Sequence, residues 1–262
     1  MKIAVCLSGQ PRVIETILPS LLNYFSGEDE YDFFCHSWNY NTYKRLKKNP
    51  IPGEWPVEWG DDEAVDEMHL QHVLNNLNPK KCVIEGKEVL GDRFGWDSLF
   101  YSMMYANHLK KQYEIEHNFR YDFVIKTRYD IVFYPGSPFK IHKSASPDNY
   151  LDAYFCHTSR MDYEYNRVNA SDTIFYGSST AMDILSDIYK DLYMQARIKR
   201  ADDWSCLGPG TNLSEYAENR NMRLIPTEIH ETVYRDEIVP MDPITHWNEV
   251  QEYNNLFYKV AV

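Results

Sequence analysis

Paired cysteines are missing from this sequence. Its five Cys form no CxxC pair, which removes the usual zinc and thioredoxin-type arrangements. Cys6, Cys35, Cys82 and Cys156 lie in apolar, strand-like runs, so buried free thiols in a reducing compartment are expected. No apolar stretch approaches the roughly 20 residues that a membrane helix needs. The opening MKIAVCL is too short for a secretion signal and leads straight into polar residues. A cytoplasmic location is therefore the expectation. Positive charge is scarce: 27 Lys and Arg stand against 39 Asp and Glu, a net charge of −12. Such a chain repels nucleic-acid backbones and anionic lipid, whereas a nucleotide-sized ligand senses only the cations around its own site. There is no internal repeat or low-complexity linker, and the composition never shifts sharply. The 262 residues read as one domain, with 236–262 as a C-terminal extension.

What the sequence does have is a distinctive middle stretch, YDFVIKTRYDIVF, residues 121–133. A short apolar run bounded by polar residues predicts a buried strand. The helical pattern over 98–116 just before it makes an αβ unit of a layered α/β domain. Ligands in such sheets bind beyond the carboxyl ends of the strands, which places Lys126, Thr127, Arg128 and Asp130 where chemistry is usual. If the strand runs on to Asp130, alternation puts Lys126, Arg128 and Asp130 on one face. Two cations and an acid suit an anionic ligand. They also suit a charged strand end that closes its own salt bridge.

The remaining elements follow from periodicity. Residues 3–7 predict a strand and 14–25 a helix, with Pro11 suited to the first helical position and Pro19 expected to kink or split the helix. Between them, Ser8, Gly9, Gln10 and Arg12 form a strand-to-helix turn whose backbone N–H groups can bind phosphate or base edges. The same residues also serve an ordinary tight turn. Residues 31–37 predict a second strand, ending at His36, either a ligand contact or a hydrogen-bonded structural residue. Residues 40–61 read as a long surface loop. Helices are expected over 62–77, burying Met68, and over 98–116, capped by Asp97 or Ser98 and burying Leu99, Met103, Ala106 and Tyr113. Strands are expected at 82–85, 150–156, 172–177, 223–225 and 229–233, and the polar stretch 157–171 as a loop. Thr180-x-x-Asp183 fits a capping box, and Thr211 a cap for a short helix. Asp202 and Asp203 fall in a further loop.

Three of these strand ends carry a resemblance. SGQPR (8–12), HSW (36–38) and KTRYD (126–130) together resemble GT-A-type glycosyltransferases, especially small stand-alone ones that build surface polysaccharides. DTIFYGSS (172–179) with the helix behind it, and the short helix near 211–219, fit the same group, so the similarity spans most of residues 1–235. It implies a Rossmann-like GT-A fold with a mostly parallel central sheet and helices on both faces. It also implies a nucleotide-diphosphate sugar as donor and a glycan or other hydroxyl as acceptor. Ser8, Gly9, Gln10 and Arg12 would hold base and ribose, with His36, Lys126, Thr127 and Arg128 as further donor contacts. The family's Asp-x-Asp motif maps onto Arg128-Tyr129-Asp130, so Asp130 inherits the role of metal ligand, with His230, or alternatively His246, as a second one for Mn²⁺ or Mg²⁺. Arg128 departs from the pattern and removes one carboxylate. An inverting enzyme also needs a base, for which Asp203, Asp202 and Asp172 are candidates.

Two other readings compete. A nucleotidyltransferase or phosphohydrolase needs a Gly-rich loop with Lys, or several converging carboxylates, and the first loop has one Gly and no Lys. A catalytically inactive nucleotide-sugar binder would tolerate Arg128 in the motif.

Overall fold

The computed structural model describes residues 1–46, 57–90, 96–133, 138–156, 172–191, 209–227, 229 and 231–233. The chain opens with strand β1 (Lys2–Gly9), helix α1 (Ile14–Tyr24) and strand β2 (Glu30–Trp38). A hairpin of β3 (Tyr40–Leu46) and β4 (Val57–Ala64) follows, then α2 (Glu67–Asn75) and β5 (Lys81–Glu85). Next come α3 (Trp96–His117), β6 (Phe123–Thr127), β7 (Ile131–Phe133), β8 (Asp152–Cys156), β9 (Phe175–Ser178) and α4 (Ser179–Ser186). A helix α5 (Pro209–Glu218) and strands β10 (Arg223–Thr227) and β11 (Glu231–Val233) complete the described elements.

Seven of these strands form one sheet in the order β10-β8-β9-β6-β1-β2-β5. The pairs are parallel except where β9 meets β6 and β8. β1 reads as a continuous apolar run because both its faces are covered, as parallel central strands require. Ile3, Val5 and Leu7 pack with Ile17 and Leu21 of α1. Ala4 and Cys6 pack with Phe100, Met103 and Ala106 of α3. Helices thus cover both faces. The architecture is an α/β fold with a mostly parallel sheet. From β1 the chain steps outward through β2 to β5, then returns to lay β6 on the other side of β1. The carboxyl ends of β1 and β6 therefore border the switch point of the sheet, where open α/β sheets bind ligands.

Several local expectations are corrected. Residues 40–61 are not a loop in their described part, because 40–46 and 57–64 pair as an antiparallel hairpin with Arg45 opposite Glu58. Acidic residues and Gly disfavour a strand taken alone, so the pairing is not apparent from either segment by itself. This hairpin consumes the front of the helix expected over 62–77. α2 instead starts after Asp66, whose carboxylate accepts from the N–H groups of Met68 and His69, and Met68 is exposed. Pro19 does not split α1. Its ring and the Glu15 carbonyl it leaves unbonded lie on the exposed side, where water can satisfy that carbonyl. Asp97 and Ser98 lie inside α3, and Leu99 is only half-buried. Ser178 caps α4 in place of Thr180, accepting from Ala181 N–H, because β9 runs straight into the helix. Thr211 is inside α5.

Gly177 is required by close approach, since a Cβ there would lie 2.9 Å from the Asp152 carbonyl oxygen. Among the described cysteines, Cys6, Cys35 and Cys82 are free thiols, and burial pushes Cys6 up to about 12. None of the described helices is long and apolar enough to cross a membrane.

Candidate functional site

β6 ends at Thr127, so strand alternation does not carry through to Asp130 as the sequence reading required. A turn does the same work. Tyr129 is fully buried in the core under α1, its hydroxyl donating to the Leu7 carbonyl (3.4 Å), and burial raises its pKa well above the ordinary range. With Tyr129 pinned inward, its two neighbours meet each other. Arg128 binds Asp130 through one edge of its fork, Nε to Oδ1 at 2.9 Å and a terminal nitrogen to Oδ2 at 2.7 Å. Its other terminal nitrogen reaches Asp172 Oδ2 at 3.0 Å. Charge-assisted bidentate pairs of this kind are short and geometrically specific.

The turn after β1 arrives at the same carboxylate. Arg12 has a terminal nitrogen 3.4 Å from Asp130 Oδ2. Its backbone is left-handed, with φ of 38°. That strain for a non-glycine residue is held by two partners from β3. The Arg12 N–H donates to Asn41 Oδ1 at 2.7 Å. Gln10 accepts from Thr42 N–H (3.1 Å) and from Arg12 Nε (3.3 Å), and its amide nitrogen donates to Thr42 Oγ1 (3.0 Å). Gln10 thus acts on Arg12 as a positioning residue. Asn41 and Thr42 were not singled out from the sequence. Amide and hydroxyl side chains that bind nearby backbone are the available signal, hidden here by reading the segment as loop.

Gly9 has φ of 123°, and a Cβ there would meet none of the described residues within 4 Å. Among the described residues, the backbone at the carboxyl end of β1 therefore faces open space. The buried hydroxyls of Ser8 and Thr127, near the carboxyl ends of adjacent strands but on opposite faces of the sheet, have no hydrogen-bond partner among the described residues.

Two expected donor contacts are placed otherwise. The Lys126 ammonium is almost fully buried. It donates to the main-chain carbonyl of Asp172 and lies 5.4 Å from the centre of the Phe175 ring, so it anchors the segment that carries Asp172. His36 is fully buried, with Nδ1 2.6 Å from Ser102 Oγ and Nε2 2.9 Å from Glu85 Oε2. Both ring nitrogens are committed to protein partners, so His36 is a structural residue and not a donor contact. Burial lowers its pKa against the opposing pull of Glu85. The hydrogen bond from His36 lowers that of Glu85. A neutral ring donating from Nε2 and accepting at Nδ1 fits both partners.

A pH prediction follows. Below about pH 6.5 the unfolded chain takes up a proton at His36 that the folded chain refuses. Stability is complete above pH 6.5 and falls as the pH is lowered through it, by up to about 1.4 kcal/mol per pH unit. Urea unfolding of wild type and His36→Gln between pH 7.5 and 5.5 checks this, and the variant should show the shallower slope.

Asp202, Asp203, His230 and His246 lie outside the described residues. Of the three candidate bases Asp172 is described, paired with Arg128 and partly exposed. For the metal that the resemblance implies, the donors around Asp130 fit poorly as arranged. Both carboxylate oxygens face guanidinium groups, and a divalent cation would have to sit against two positive charges. No family model and no curated protein matches this chain.

Proposed function

We propose that the protein is a GT-A-type glycosyltransferase that moves a sugar from a nucleotide-diphosphate donor to a glycan or other hydroxyl acceptor. One observation carries the reading: Arg12, from the turn after β1, and Arg128, from the turn after β6, meet on Asp130 at the switch point of the sheet. That crevice is where α/β sheets take nucleotides, and guanidinium forks match phosphate geometry. The open space against Gly9 gives a base or ribose room to lie along the backbone.

Transfer breaks the bond between sugar and diphosphate, and negative charge grows on the departing diphosphate. Fixed cations aimed at that charge stabilise the transition state more than the ground state. Arg12 and Arg128 supply them, held in place by Asp130, Asp172, Gln10 and Asn41. If configuration inverts, a carboxylate must take the acceptor's proton, with Asp203, Asp202 and Asp172 as the candidates. The inactive-binder reading gains from one feature, the engagement of Asp130 by arginines.

The test is to incubate the full chain with UDP-, GDP-, CMP- and dTDP-sugars, with and without Mn²⁺, and to measure free nucleotide. Slow release from one donor class, lost in Arg128→Ala, is the expected result. Binding of a donor with no turnover under any condition, acceptors included, would leave the inactive binder standing instead.

A further inference from the structure

We infer that Asp130 is the organiser of a guanidinium pair that takes the donor's diphosphate directly, with no divalent cation between protein and phosphate. This rests on the reading of the site given above and specifies the chemistry of its anion-binding part. The contacts of the carboxylate argue for it. The Asp130 side chain is 2% exposed, and both its oxygens face guanidinium nitrogens of Arg12 and Arg128. A metal ligand needs the reverse, with carboxylate oxygens reaching the ion and the ion reaching the phosphate.

The geometry of each arginine suits the direct role. A guanidinium carries five N–H donors in a flat fork and can hold a carboxylate on one edge and a phosphate on another. Arg128 is clamped between Asp130 and Asp172, which fixes the plane of its fork. Arg12 is fixed at both ends: Asn41 holds its backbone N–H, and Gln10 and Asp130 hold its guanidinium. Ordering two long side chains is the main entropic cost of an arginine clamp, and these contacts meet it before the ligand arrives. Asp130 itself touches no phosphate and is a positioning residue.

The experiment is calorimetric titration of the full chain with UDP, GDP, CDP and dTDP, and with the corresponding monophosphates, in EDTA and in Mn²⁺. The nucleoside diphosphate that binds should do so with Kd in EDTA within about twofold of Kd in Mn²⁺. It should bind at least about tenfold tighter than its monophosphate in EDTA. Arg128→Lys, which keeps the charge but loses the fork, should weaken the diphosphate by about tenfold or more and leave the monophosphate nearly unchanged. Asp130→Asn should erase the preference for diphosphate over monophosphate in EDTA as well as in Mn²⁺. A Kd at least about tenfold tighter in Mn²⁺ than in EDTA, with Mn²⁺-induced water-proton relaxation lost in Asp130→Asn, would make Asp130 a metal ligand and overturn the inference. If Asp130→Asn does not fold, the wild-type comparison with and without Mn²⁺ decides alone. Failure of every nucleotide to bind under both conditions would instead remove the reading of the site.

Discussion

Asp130→Ala should lower the stability of the folded chain by about 3–5 kcal/mol, the scale for breaking a buried ion pair from one side. The carboxylate is nearly inaccessible and faces two guanidinium groups, so its removal leaves two largely buried cations repelling each other. The size of the effect comes from the stranded partners more than from the lost attraction. A second substitution shows this. Arg128→Met in the Asp130→Ala background should recover a sizeable part of the loss, because one stranded charge goes with it. Urea unfolding of the wild type, both single variants and the double variant gives the coupling energy, expected at 1 kcal/mol or more. Purely additive losses would mean that Asp130 and Arg128 do not act on each other.

Lys110→Met is the second large effect, at the opposite end of β6. Lys110 is fully buried in the middle of α3. Its ammonium binds Glu114 Oε2 at 3.1 Å, Ser179 Oγ at 2.8 Å and Asp183 Oδ1 at 2.8 Å. Ser179 Oγ in turn donates to Glu114 Oε1, which also accepts the N–H of Tyr121 just before β6. One cation therefore joins α3, α4 and the entry to the central strand. Met fills nearly the same volume, so packing changes little, while Glu114 loses the cation beside it and Asp183 keeps only the more exposed Arg120 and Lys111. A loss of about 3–5 kcal/mol is expected, and Glu114→Gln on top of it should add less than Glu114→Gln does alone. A loss below about 1 kcal/mol, the scale of an exposed pair, would show that water reaches the cluster. Nucleotide binding should be unaffected in variants that remain folded, since Lys110 touches neither Arg12 nor Arg128.

The sequence shows the central strands and the order of the helices because each buries a run or a stripe. IAVCL and FVI cannot be solvated strands, and Ile14, Ile17 and Leu21 share one face of α1. The place of the candidate site was suggested for the same reason, since polar residues at the ends of buried strands stand out. What could not be read was how those residues pair. Arg128 and Asp130 looked like groups facing a ligand along an alternating strand. In the structure they face each other across a turn, because Tyr129 is drawn into the core. The β3–β4 hairpin was illegible because its stabilising partner lies across the ladder and not along the chain. Lys110 was not singled out, and Asp183 was read as the capping-box partner of Thr180, since nothing local shows that α3 and α4 press the two together. His36 was equally open on sequence grounds, and its two ring partners come from β5 and α3, far away in the chain.

The grip of β3 on the turn after β1 reaches beyond holding one arginine still. Asn41 and Thr42, two consecutive residues, bind Arg12 and Gln10, so opening of the turn must break contacts with the ribbon. Exchange of the Arg12 amide proton, held by Asn41, is expected to follow loosening of the ribbon, as for a segment fastened to a larger cooperative unit. A partner or crowded surface that clasps the ribbon from outside would thus set how often Arg12 is in place, without ever touching it.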